Sequence, residues 1–142
     1  MTEAITALKG KCLCGQVEFT TPTPQQIDVC HCETCQTWVG GPFIGVDFLE
    51  GGVTITKEDG LAWYASSEWA KRGFCKTCGT SLFYRLNENP GFWAITAGSL
   101  NLPRGQKISR EIFIDSKPDY YALAGQHTRL TGEEFFASLQ DV

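Results

Sequence analysis

No run of about 18 apolar residues occurs in the 142-residue chain, so no transmembrane helix is expected. The opening Met1-Thr2-Glu3-Ala4-Ile5-Thr6 lacks a basic start followed by an apolar stretch. No secretion signal is read there, and a cytoplasmic location is expected. Basic charge is in deficit, since 12 Lys and Arg face 16 Asp and Glu, for a net charge of −4. Short basic groups such as Lys71, Arg72 and Lys76 suit a small anion. They do not make the clustered basic face that a nucleic-acid backbone needs, and no nucleic-acid partner is expected. Repeats, low-complexity tracts and long linkers are also missing, so one domain spanning 1–142 is expected. A 42% hydrophobic and 12% aromatic share excludes a disordered chain.

What the chain does have is cysteine. The seven are Cys12, Cys14, Cys30, Cys32, Cys35, Cys75 and Cys78. An odd count without a secretion signal argues against a disulfide scaffold. Each one stands in a short group: C-x-C at 12–14, C-x-C-x-x-C at 30–35, C-x-x-C at 75–78. In an extended segment residues i and i+2 point to the same side, so C-x-C offers two sulfurs to one ion. C-x-x-C does the same through a tight turn. Zinc takes thiolates at about 2.3 Å in a tetrahedron. Iron–sulfur clusters also use thiolates, but in other runs.

Seven sulfurs divide into a closed set of four and an open set of three, and an open set leaves a position for water or substrate. Cys14 and Cys78 are each followed by glycine, which permits a positive-φ turn around a thiolate, whereas Cys35 is followed by Gln36. That favours 12/14 with 75/78, leaving 30/32/35 open. The rival division is 12/14/30/32 against 35/75/78.

Local patterns are mostly β. Gln16–Thr20 alternates with period two, and Phe43–Phe48, Val53–Thr56, Leu61–Tyr64, Ser81–Arg85, Phe92–Thr96 and Glu111–Asp115 read as strands. Asp59-Gly60 is a hairpin signal. Glu33–Val39 suits a short helix carrying Cys35. Thr131 and Glu134 fit a capping box opening a second helix, with Phe135, Phe136 and Leu139 as its apolar stripe.

Three segments together resemble the glutathione-dependent formaldehyde-activating enzyme (Gfa) family. They are Gly10-Lys11-Cys12-Leu13-Cys14-Gly15, Cys30-His31-Cys32-Glu33-Thr34-Cys35-Gln36 and Arg72-Gly73-Phe74-Cys75-Lys76-Thr77-Cys78-Gly79. Gly98-Ser99-Leu100 and Ile112–Pro118 extend the likeness over roughly residues 10–121. The resemblance implies a mainly β fold of several coiled β-sheets stitched by zinc, with short helices. It implies two zincs per chain, a structural one on Cys12, Cys14, Cys75 and Cys78 and a catalytic one on Cys30, Cys32 and Cys35. It further implies a carbon–sulfur lyase acting on a small glutathione-like thiol adduct, with glutathione and formaldehyde as the family substrates. The chain departs from the family at Glu111, where a His often precedes the Ile, and at Tyr120-Tyr121, where a Trp is frequent.

The expected chemistry is activation of a substrate thiol at the open site, because metal ligation favours the thiolate and the thiolate is the nucleophile. His31 points away from its flanking cysteines on an extended strand. It is read first as a packed or hydrogen-bonded histidine, with a general-acid or substrate contact as the alternative. Gln36 and Trp38 follow the open site and are candidate pocket residues, with core packing as the alternative for Trp38. Lys71, Arg72 and Arg110 are candidates for a tripeptide's carboxylates.

Overall fold

The computed structural model describes residues 7–140, with the side chain of Gln140 left aside. The segment Met1–Thr6, read above as lacking a secretion signal, lies outside the described residues. The chain is mainly β. In order come β1 (Leu8–Lys11), β2 (Val17–Thr21), β3 (Gln26–Cys30), α1 (Glu33–Val39), β4 (Phe43–Phe48), β5 (Thr54–Glu58), β6 (Leu61–Ala65), β7 (Ala70–Cys75), β8 (Ser81–Leu86), β9 (Trp93–Thr96), β10 (Arg110–Ile112), β11 (Thr128–Leu130) and α2 (Gly132–Gln140). No helix among the described residues is long and apolar enough to cross a membrane.

The chain forms two compact units, one from Met1–Gln26 and Val46–Gln106, the other from Ile27–Gly45 and Lys107–Val142. In the first unit, β2 lies between β1 and β5, antiparallel to both. The meander β6-β7-β8-β9 is antiparallel throughout. Its core is aromatic. Phe83 meets Phe19 edge-on at 4.8 Å between ring centroids and Trp93 at 5.3 Å, and stacks on Trp63 at 5.9 Å. Offset and edge-on contacts of this kind add to the area the rings bury. Gly73 is required between two of these rings, because a Cβ there would meet Trp63 at 2.9 Å and Phe83 at 3.0 Å.

In the second unit β10 pairs in parallel with β3 on one side and β11 on the other. The strand expected over Glu111–Asp115 stops after Ile112. Phe113 takes a left-handed backbone at φ 58° and Ile114–Ser116 form a 3-10 turn. A phenylalanine accepts that strained conformation because its ring is held against Phe135 and Phe136, at 5.7 and 5.5 Å. The expected capping box is present, since Glu134 N–H donates to Thr131 Oγ1 at 3.1 Å and Thr131 N–H to Glu134 Oε1 at 2.8 Å.

Candidate metal centres

Two loops of the first unit carry four cysteines on matching backbone turns. Gly15 N–H donates to Cys12 O and Gly79 N–H to Cys75 O, with both glycines left-handed at φ 81° and 82°. Only glycine adopts that conformation freely, and it lets each loop curl around its leading sulfur. Backbone amides point at those sulfurs, Val17 N–H to Cys12 Sγ at 3.3 Å and Cys78 N–H to Cys75 Sγ at 3.5 Å. Gly60 O accepts from Lys76 N–H, and Gln16 receives bonds from Gly60 and Thr77, so the loops brace one another.

The result gathers Cys12, Cys14, Cys75 and Cys78, their sulfurs all within 4.8 Å of one another. Cys14 Sγ lies 3.7 Å from both Cys12 Sγ and Cys75 Sγ. Ligands at about 2.3 Å from a tetrahedral centre stand about 3.8 Å apart, so four thiolates in this arrangement fit zinc. The Thr80 hydroxyl, followed by backbone amides, pushes the Cys78 thiol down to about 5, poised to ligate as thiolate. At Cys14 a backbone bond at Gln16 favours the thiolate, but desolvation and the three neighbouring sulfurs outweigh it and push the thiol up to about 11. That mutual opposition is what a shared cation removes.

The second unit gathers Cys30, Cys32 and Cys35, again within 4.8 Å. β3 delivers Cys30. Cys32 caps α1, its sulfur accepting from Cys35 N–H at 3.4 Å, and the helix carries the buried Cys35. Interaction with Cys32 and Cys35, together with burial, pushes the Cys30 thiol strongly upward. Three crowded sulfurs with this electrostatic conflict also fit a divalent cation. The two gatherings follow the glycine-based division rather than its rival.

The ring of His31 lies fully buried and is not part of the three-sulfur gathering; it stands in a polar chain that the sequence did not disclose. Glu111 Oε1 accepts from His31 Nε2 at 2.7 Å, and His31 Nδ1 lies 2.7 Å from the Tyr121 hydroxyl. Burial, and then the charges of Tyr120, Glu111 and Cys30, push Tyr121 above the usual range. Glu111 Oε2 accepts from His127 Nε2 at 2.5 Å and Arg129 Nε at 2.9 Å. Burial alone raises the Glu111 carboxyl, but the His127 and His31 bonds and the Arg129 charge prevail and hold it below 4.5. The two departures singled out in the sequence, Glu111 and Tyr121, thus meet at opposite nitrogens of one ring.

The remaining candidates have internal partners. Gln36 Nε2 donates to His31 O and Ser116 O. Trp38 packs edge-on against Phe43 at 5.5 Å. Arg72 is buried, donating to Ser66 and lying over Tyr84, and Lys71 sits over Trp63. Arg110 pairs with Asp28 at 3.0 Å.

Comparison with known proteins bears on most of the chain. An uncharacterized lyase of Schizosaccharomyces pombe is 29% identical over 132 residues, covering 92% of this chain and 96% of that protein. A crystal structure of a Rhodobacter sphaeroides protein shares the fold with a TM-score of 0.55 at 23% identity, covering 68% of this chain and 91% of that one. The family described as glutathione-dependent formaldehyde-activating enzyme matches residues 7–116, which carry all seven cysteines. The chain belongs to that family.

Proposed function

We propose that this chain is a zinc-dependent carbon–sulfur lyase of the Gfa type. It joins a small thiol to formaldehyde or a related carbonyl, with glutathione as the model thiol and S-hydroxymethylglutathione as the product. The observation that carries the reading is the division of seven cysteines into a set of four and a set of three, since three ligands leave one tetrahedral position for substrate. Cys12, Cys14, Cys75 and Cys78 would hold a structural zinc, and Cys30, Cys32 and Cys35 a catalytic one. A zinc at the three-cysteine set supplies an open position and favours the thiolate form of a substrate sulfur.

In the forward direction a carbon–sulfur bond forms at the carbonyl carbon, the C=O π bond opens, and the thiol's proton ends on the new hydroxyl. The chain's own part is positional. Cys30 and Cys32 are presented on either side of an anchored His31, and Cys35 is fixed by α1. Holding thiol and aldehyde side by side supplies rate through proximity. The family match and the lyase-named relative support an enzyme. The full 1–142 length acting as one functional domain, and a cytoplasmic setting, belong to the same proposal.

Two measurements test it. Elemental analysis of protein never exposed to chelator should give two zincs per chain. Exchange spectroscopy should show glutathione and formaldehyde interconverting with their adduct faster than the uncatalysed background, and Cys30→Ser should return the rate to background. Two zincs with background rates for every thiol tried would replace the enzyme by a zinc-stabilised binding module.

A further inference from the structure

We propose that Glu111 and Tyr121 are positioning residues for the three-cysteine set, acting through His31. This rests on the reading of that set as a metal centre and adds what holds it in shape. His31 is the middle residue of Cys30-His31-Cys32, and each of its four polar atoms is engaged. Its N–H donates to Ile112 O at 3.1 Å, and its carbonyl accepts from Gln36 Nε2. Its ring meets Glu111 and Tyr121, each at 2.7 Å. All four partners belong to segments that flank the cysteines: β10, the stretch after it, and α1. Gln36 in turn donates to Ser116 O at 3.0 Å, tying α1 to the 3-10 turn after β10.

A C-x-C segment presents both sulfurs to one ion only while its middle residue stays turned to the other side. The buried ring supplies that constraint. Its Nε2 donates to a carboxylate, and its Nδ1 meets the tyrosine hydroxyl on the other side of the ring. Glu111 is itself held from behind by His127 and Arg129, so the ring is gripped by a fixed carboxylate. Groups of this kind behind a metal site orient its ligands, and their loss typically weakens metal binding about tenfold or more. Glu111 is 1% exposed, and both of its carboxylate oxygens are taken up within the protein by His31, His127 and Arg129.

The test compares the wild-type full-length chain with Glu111→Ala, Glu111→Gln and Tyr121→Phe. Zinc release to a chromogenic chelator is followed, and iodoacetamide alkylation of each cysteine is measured by peptide mass spectrometry. In Glu111→Ala, zinc should leave the three-cysteine set about tenfold faster. Cys30, Cys32 and Cys35 should alkylate faster, with Cys12, Cys14, Cys75 and Cys78 unchanged. Glu111→Gln keeps an acceptor for His31 and should fall between Ala and wild type. Tyr121→Phe removes one hydroxyl and should show the same selectivity at roughly fivefold; it decides the matter if Glu111→Ala does not fold. Wild-type rates in Tyr121→Phe, or an equal rise at all seven cysteines, overturn the proposal. A wild-type chain with a single zinc overturns the two-zinc reading instead, and the alkylation pattern alone then decides the positioning role.

Discussion

Cys14 Sγ and Cys75 Sγ stand 3.7 Å apart although 61 residues separate them in the chain. A metal held there ties β1 and β2 to β7, whereas the 30/32/35 set closes within six residues and ties down little more than a turn. The two cysteine sets should therefore respond differently to the loss of one sulfur.

Cys12→Ser should leave the protein unfolded or lower its Tm by more than about 10 °C, because a closed structural zinc site contributes folding energy directly. Cys30→Ser should keep Tm within about 3 °C of wild type while zinc falls to one per chain. Differential scanning calorimetry with metal analysis checks both, and equal loss of folding in the two variants would contradict this division of labour.

Gly60 lies in the turn between β5 and β6, where a Cβ would stand 2.7 Å from Cys75 Sγ and 3.0 Å from Gln16 Cβ. Gly60→Ala should cost about 1–3 kcal/mol by overpacking. It should also speed zinc release from the four-cysteine set while sparing the other. Denaturant titration and chelator kinetics on the same samples separate the two effects.

Glu111 carries a pH signature. Its folded pKa is depressed, so its contribution is present above the ordinary value of 4.5 and is lost as pH falls through the folded value. Breaking a buried charged network by removing one partner costs about 3 kcal/mol or more. Glu111→Gln should be less stable than wild type by that order at pH 7. The gap should close below pH 4.5. Zinc content is measured on the same samples at each pH, so that acid loss of metal is separated from the carboxylate's own contribution.

Thr131→Ala removes the hydroxyl that caps α2 and should cost about 1 kcal/mol, a Tm loss of roughly 3–5 °C. Zinc content and turnover should be untouched, because the hydroxyl removed caps its own helix through Glu134 N–H and touches neither cysteine set.

What the sequence disclosed was local. The period-two pattern foretold β2, the spacing Glu33–Val39 matches α1, and Gly15 and Gly79 adopt the turns their place after cysteine required. β3 and β7 escaped notice because Asp28 and Arg72 interrupt their apolar pattern while lying buried. Buried charge is legible only with its partner. Asp28 meets Arg110 across 82 residues, and Glu111 meets His31 across 80. No short pattern announces such pairs. The late strand was read three residues too long for a related reason. Phe113 turns left-handed under contacts from α2 that lie some twenty residues further on.

The unequal spans of the two cysteine sets also set an order of assembly during synthesis. Cys30, Cys32 and Cys35 have all left the ribosome before Cys75 is made, and their short loop costs little entropy to close. If both sets bind zinc as proposed, a growing chain completes its first thiolate set at 30/32/35, before Glu111 and Tyr121 are made to hold it in shape, while the four-cysteine set waits for the second loop and the closure of a long one. Early capture at the local set exposes it to whichever thiol-seeking ion is most available, and the late set is screened by the fold that forms around it. Cells short of zinc should thus accumulate chains whose errors of metal identity sit at Cys30, Cys32 and Cys35.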